Sequence, residues 1–210
     1  MIPFSLDIYL GTLEAYAAGL WPGQLAAGGL GLAAVLAIFL GWPAAGRLNA
    51  AVLAAAWAWV GGVYYGAYFT DLNWAAWAAA GVFVAQAAVL AWLAHRDRFD
   101  PRFTASMRGY AGLGLMIYAL AAGPLAGLSG TAPWPAVSLF GVHPGPTVLF
   151  SLGALSLCRP SPPVALLVVP MITAGASAAA GVLLGIHDDL AGVPAGLGVL
   201  ILALSARKRA

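Results

Sequence analysis

The stretch Leu25–Leu40, LAAGGLGLAAVLAIFL, runs for sixteen residues without a charged or hydrogen-bonding side chain. In hydrocarbon the backbone amides and carbonyls have no water to bond, so only helices and closed barrels cross a bilayer. Barrel strands alternate apolar and polar residues over about ten positions. This run does not alternate, and its Ala, Leu and Gly content suits a helix.

The rest of the chain repeats the pattern. Its 210 residues are 62% hydrophobic and 8% charged, where a soluble domain carries about 25% charged residues. Sixteen Lys, Arg, Asp and Glu side chains cannot wet the surface of a 21.3 kDa globule, and the mean hydropathy is +0.92. The fold class read from this composition is an all-α, polytopic membrane helix bundle forming a single domain over residues 1–210. The single cysteine, Cys158, excludes an internal disulfide and a Cys-rich metal cage. Met1–Tyr16 carries Asp7 and Glu14 but no basic residue, the reverse of a cleavable signal peptide.

A bilayer core of about 30 Å needs roughly 20 helical residues. By that measure seven spans are expected, near Pro22–Ala44, Leu48–Phe69, Ala75–Ala94, Met107–Leu128, Pro146–Cys158, Pro163–Gly185 and Leu190–Ala206. Numbering the loops alternately places Arg47, Arg96, Arg98, Arg102, Arg108, Arg159, Arg207, Lys208 and Arg209 on one side. Asp7, Glu14, Asp71, Asp188 and Asp189 fall on the other. Cationic loops stay in the cytoplasm, so the N-terminus is expected outside and the C-terminus inside a bacterial cytoplasmic membrane. Residues 1–17 mix apolar and acidic residues and read as an interfacial helix on the outer face.

The fifth span is short, and extending it back to Leu139 passes through Pro144, Gly145 and Pro146. Proline removes a backbone donor and clashes with the preceding turn. An extended segment dipping inward is therefore expected, followed by a helix starting at Pro146. Its first turn would offer amides to an anion or a carbonyl oxygen, or merely break the helix beneath a surface loop.

Other features have structural readings beside functional ones. No Asp, Glu, Lys, Arg or His occupies the middle of an expected span, which argues against a proton-coupled carrier. The only lysine, Lys208, lies in the tail, which excludes a retinal Schiff base. His143, His187 and Asp188 are the candidate ligands for a divalent metal, although acids on this side also serve as topology signals and helix caps. No other cofactor is expected. Trp42, Trp57, Trp59, Trp74, Trp77, Trp92 and Trp134 read mostly as interfacial anchors, and Gln86 as packing glue between helices. Gly62–Gly66, Gly123–Gly127, Gly181–Gly185 and Gly192–Gly196 have the spacing of close helix contacts, within the chain, in a homo-oligomer or with a partner subunit. The basic loop His95–Arg108 suits anionic headgroups; it is too short for nucleic acid. No catalytic motif supports an enzyme.

Several short motifs carry a family resemblance. They are Ile2-Pro3-Phe4 with Leu6-Asp7, Tyr16 followed by Trp21-Pro22 and Gln24, then Trp59, Tyr64-Tyr65 and Asn73. Leu139-Phe140-Gly141-Val142 with Pro144, Pro146 and Thr147 follows, and Gly185 with Asp189 closes the series. In these positions the chain resembles an uncharacterised bacterial multi-span membrane family, domain of unknown function 6064. The resemblance implies that the scattered residues meet on the outer side. It also implies a cysteine between the two prolines, where this chain has Gly145.

The expected function is an integral membrane protein with an outward-facing vestibule that binds or passes a small solute or ion. Tyr16, Gln24, Tyr65, Asn73, Pro144, Pro146, Thr147 and Asp189 are the candidate lining. The alternative is a non-transporting sensor or assembly subunit that packs against partner helices.

Overall fold

The computed structural model describes residues 6–130, 137–159, 165–184, 194, 197–199 and 201. All secondary structure among them is helical, apart from one isolated bridge between Pro101 and Cys158. The helices are α1 (Leu6–Leu20), α2 (Gly23–Phe39), α3 (Ala45–Trp59), α4 (Ala76–His95), α5 (Met107–Leu128), α6 (Pro144–Leu157) and α7 (Ala165–Leu184). Helix α3 continues without a break into a π-helical segment, Val60–Phe69. Three of these units are long and apolar enough to cross a membrane: Ala45–Phe69, Ala76–His95 and Met107–Leu128. The bent pair α1–α2 adds a fourth if counted as one span, its halves meeting at 79° across the cis Trp21–Pro22 peptide. The expected last span, Leu190–Ala206, lies largely outside the described residues.

Helix ends follow local chemistry. Helix α2 stops in a Schellman motif: Gly41 is left-handed (φ +67°), its amide bonds Ile38 O, and the Trp42 amide bonds Ala37 O. Helix α4 ends the same way with Asp97 in the left-handed position, φ +53°. A short polar side chain tolerates that conformation better than most, and the Asp97 carboxylate is then aimed at Arg47, 2.8 Å away. Ser106 caps α5 by accepting the Gly109 amide.

The structure brings loops that are distant in sequence to common ends. The α2–α3 and α4–α5 loops and the residues that close α6 meet at one end. The Arg47–Asp97 pair, the Arg102 amide on Leu157 O, the Arg159 amide on Asp100 O and the Phe39–Phe103 ring contact join them there. Arg47, Arg96, Arg98, Arg102, Arg108 and Arg159 all belong to this basic end. The opposite end carries α1, the close of the π-helical segment and the start of α6, with Asp7, Glu14 and Asp71.

Of the glycines paired by spacing, Gly123 is in close contact, a Cβ there running into Ser138 O, although what it meets is the segment before α6 and not a helix. The tight crossing is between α5 and α6, where a Cβ on Gly153 would lie 2.7 Å from Gly112 O and 3.0 Å from Met116 N. Gly62, by contrast, has nothing within 4 Å of such a Cβ, and residues 185, 192 and 196 lie outside the described set. Asn49 rather than Gln86 bonds helices together: its Nδ2 donates to Ala34 O on α2 and Ala45 O on its own helix, each at 2.9 Å. Gln86 is buried on α4, and its Nε2 has no partner among the described residues. Trp57 is not an interfacial anchor. It is fully buried and donates to Ser151 Oγ at 2.8 Å.

Gly153→Ala is expected to destabilise the fold by about 1–3 kcal/mol, because backbone atoms of α5, and not only the Met116 side chain, meet the new methyl. Gly62→Ala should leave stability unchanged. Thermal unfolding of the detergent-solubilised variants reads both.

Candidate functional site

The acidic end is organised around one irregular segment. Between residue 137 and α6 the chain makes a turn, and its polar groups bond the side chains and carbonyls that surround it. His143 Nδ1 accepts the Leu139 amide (3.1 Å), and the Val142 and His143 amides reach back to Leu139 O. Gly141 is left-handed at φ +81°, and a Cβ there would also press on the Ala27 Cβ at 3.1 Å, so only glycine fits. Its amide donates to Thr147 Oγ1 (3.0 Å), which in turn donates to His143 O at 2.7 Å. Ser151 Oγ donates to Thr147 O and receives the Trp57 indole N–H, tying α6 to α3.

Helix α6 begins at Pro144, two residues earlier than expected, with His143 at its N-cap. Its first three positions are Pro144, Gly145 and Pro146, so two of the three amides that would face an anion are absent. Pro144, Pro146 and Thr147 are buried.

Tyr16 closes the turn from above. Its hydroxyl donates to Val142 O at 2.6 Å and accepts the Trp59 indole N–H at 3.2 Å. Its ring makes edge contacts with Tyr64, Tyr68 and His143, with centroids 5.2, 5.0 and 5.5 Å apart. Tyr64 also meets His143 and stacks on Phe69. The wider π-helical turn presents Tyr64 and Tyr68 together toward Tyr16, and mid-helix π segments are frequent at functional positions.

Of the residues selected from sequence, Tyr16, Pro144, Pro146, Thr147 and the metal candidate His143 are brought together. Gln24 is near, buried, and fastens α2 to α1 by donating to Ala17 O at 3.1 Å. Tyr65 packs on Tyr64 and on Phe83 of α4. Asn73 is apart from this cluster: its Oδ1 accepts the Ala75 amide just before α4. Asp189, His187 and Asp188 lie outside the described residues. Among the described residues no group of three or more His, Cys, Asp or Glu stands together.

Beside this aromatic hub of Tyr16, Tyr64, Tyr68 and His143 lies a cavity of about 460 Å³ that the sequence did not reveal. It is bounded by Leu30 of α2, Trp59 of α3 and Phe140 of the turn, with room left by small residues including Gly19, Gly23, Ala27 and Ala55. No charged residue lines it, and none of the described sequence candidates does. The one polar side-chain group on its wall, the Trp59 indole N–H, is turned to Tyr16. The available signal was Gly19, Gly23 and Ala27 at four-residue spacing, which in sequence reads as ordinary close packing.

A family model described as a family of unknown function, DUF6064, matches residues 6–210. The chain belongs to this family. No curated protein and no solved structure matches it. The match covers the hub, the cavity and the arginine end, so these elements lie within the DUF6064 unit; the family description assigns them no activity.

Thr147→Val leaves the Gly141 amide without its acceptor and is expected to cost about 1–3 kcal/mol. Tyr16→Phe should cost a similar amount by leaving Val142 O without its donor, again read by thermal unfolding in detergent.

Proposed function

We propose that this chain is a seven-span protein of the bacterial cytoplasmic membrane, N-terminus outside and C-terminus inside, that binds a small apolar solute in the cavity beside the aromatic hub. The cavity carries the binding part of this reading. Its volume of about 460 Å³ falls within the roughly 300–1,000 Å³ common for small-molecule sites. Its walls offer hydrocarbon and almost no hydrogen bonds, so an ion or a sugar would lose its hydration there without replacement. Gly23, Ala26, Leu30, Ala55 and Trp59 on its rim are exposed, which gives a mouth between α2 and α3.

The membrane part rests on helix length, apolar surface and charge. Leu25, Leu32, Leu36, Ile117, Tyr118 and Leu125 are exposed on α2 and α5, as lipid-facing side chains are. The gathering of arginines at one end supports a cytoplasmic location for that end. Helix α1, at 79° to α2, then lies along the outer interface, and the cavity opens in the outer part of the bundle. The second reading, a non-transporting subunit that packs against partner helices, is favoured by Gly62 and Gly81, whose open surfaces would admit a neighbouring helix.

An apolar, carbene-generating diazirine in proteoliposomes tests the cavity. Labelling of Phe140 and Trp59 is expected in the wild type and should fall several-fold in Ala55→Phe; labelling unaffected by that substitution removes the site. Orientation is checked separately. Arg102→Cys in a Cys158→Ala background should react with an impermeant maleimide in inverted vesicles and not in intact cells.

A further inference from the structure

The basic end holds a surface that the proposed solute site does not use. Among the described residues it carries six arginines and two aspartates, and both aspartates are engaged: Asp97 with Arg47 at 2.8 Å, Asp100 with Arg102 at 2.9 Å. A surplus of guanidinium charge is therefore left around the junction of α5 and α6.

At that junction Arg108, in the first turn of α5, donates to Ser156 O and Cys158 O and so serves the carbonyls that end α6. Arg159 follows directly. Its amide bonds Asp100 O, and its guanidinium reaches Thr104 Oγ1 at 3.4 Å. Both guanidinium groups therefore gather at the end of α6, and like charges gathered there repel. Arg159 is exposed and in no ion pair among the described residues. The Thr104 and Ser106 hydroxyls lie 3.2 Å apart next to it. An anion here relieves the repulsion and accepts from Arg159, and a guanidinium fork suits phosphate oxygens.

Exposed apolar side chains on the same end of the bundle decide which anion. Met107, the residue before Arg108, is 87% exposed; Tyr110, one turn further along the face of Met107 and packed on Phe103, is 61% exposed; and elsewhere on this end Trp92 is half exposed with the Arg98 guanidinium 5.7 Å from its ring. A free anion would have no use for that apolar skirt. An amphiphile with a phosphate head and hydrocarbon body matches both halves.

We infer that the Arg108–Arg159 junction with Thr104 is a binding site for the phosphate of an anionic phospholipid of the inner leaflet. This inference rests on the membrane reading above, and its test separates the two. The protein is reconstituted in nanodiscs of mixed phosphatidylglycerol and phosphatidylcholine, and bound lipid is counted by native mass spectrometry after release. Phosphatidylglycerol should be retained in preference, and Arg159→Gln, an exposed position that should not disturb folding, should weaken it about fivefold. Arg47→Gln, whose partner is Asp97, should leave retention unchanged.

Equal retention of the two lipids overturns the site, as does an Arg159→Gln variant that behaves like wild type or an Arg47→Gln variant that loses as much. If inorganic phosphate alone protects the detergent-solubilised protein against heat as well as phosphatidylglycerol does, the occupant is the free anion and the lipid assignment falls. Release of the protein from membranes by alkaline carbonate would overturn the membrane reading and this site together. Retention in the pellet with equal lipid binding removes the site alone.

Discussion

The segment from Val137 to His143 passes through the packed acidic end without forming a helix, so its backbone groups need partners that a helix would have supplied. Thr147 Oγ1, Leu139 O, the His143 ring and the Tyr16 hydroxyl are those partners. Much of the remaining architecture follows from this requirement. Tyr16 must descend from α1 onto Val142 O, which draws α1 across the end of the bundle. The π-helical turn of α3 supplies the rings that surround it. Ser151 then couples the same segment to Trp57 near the end of α3. An unpaired peptide group in such surroundings costs about as much as a lost hydrogen bond, and three helices are positioned so that few remain.

Small residues have two opposite effects in this protein. Between α5 and α6, Gly112 and Gly153 bring two backbones together and leave no room for even a methyl. Around Gly19, Gly23, Ala27 and Ala55 the same kind of residue leaves a void, because the α1–α2 bend and the turn at Phe140 hold the neighbouring backbones apart. Contact or cavity is decided by what the surrounding elements permit. The residue type alone is neutral on the question.

The two ends of the bundle differ in kind. At the acidic end polar side chains point inward and are consumed by the backbone of one turn. At the basic end the aspartates are paired, Arg108 serves the carbonyls that end α6, and Arg159 stays exposed. The first arrangement builds a rigid frame beside an apolar space, whereas the second leaves charge on the surface for a partner to neutralise.

Helical class, the approximate reach of α4 and α5, the break before α6 and the gathering of the described arginines at one end were all legible in the sequence, since each depends on local composition or on residues near one another in the chain. Tyr16, Pro144, Pro146 and Thr147 stand together in the structure, bonded to or packed on one turn, and the reason they meet was not visible in the sequence. Their partners are Val142 O, 126 residues from Tyr16, and the Gly141 amide, and backbone atoms leave no mark in a residue pattern. The start of α6 was misplaced by two residues because Pro144 and Pro146 each fit a helix start, and only the bonding of His143 selects between them. Trp57, Asn49, the Gly112–Gly153 crossing and the cavity were decided by tertiary structure alone. Each depends on the distance between helices far apart in sequence, and that distance is set by all the side chains between them at once.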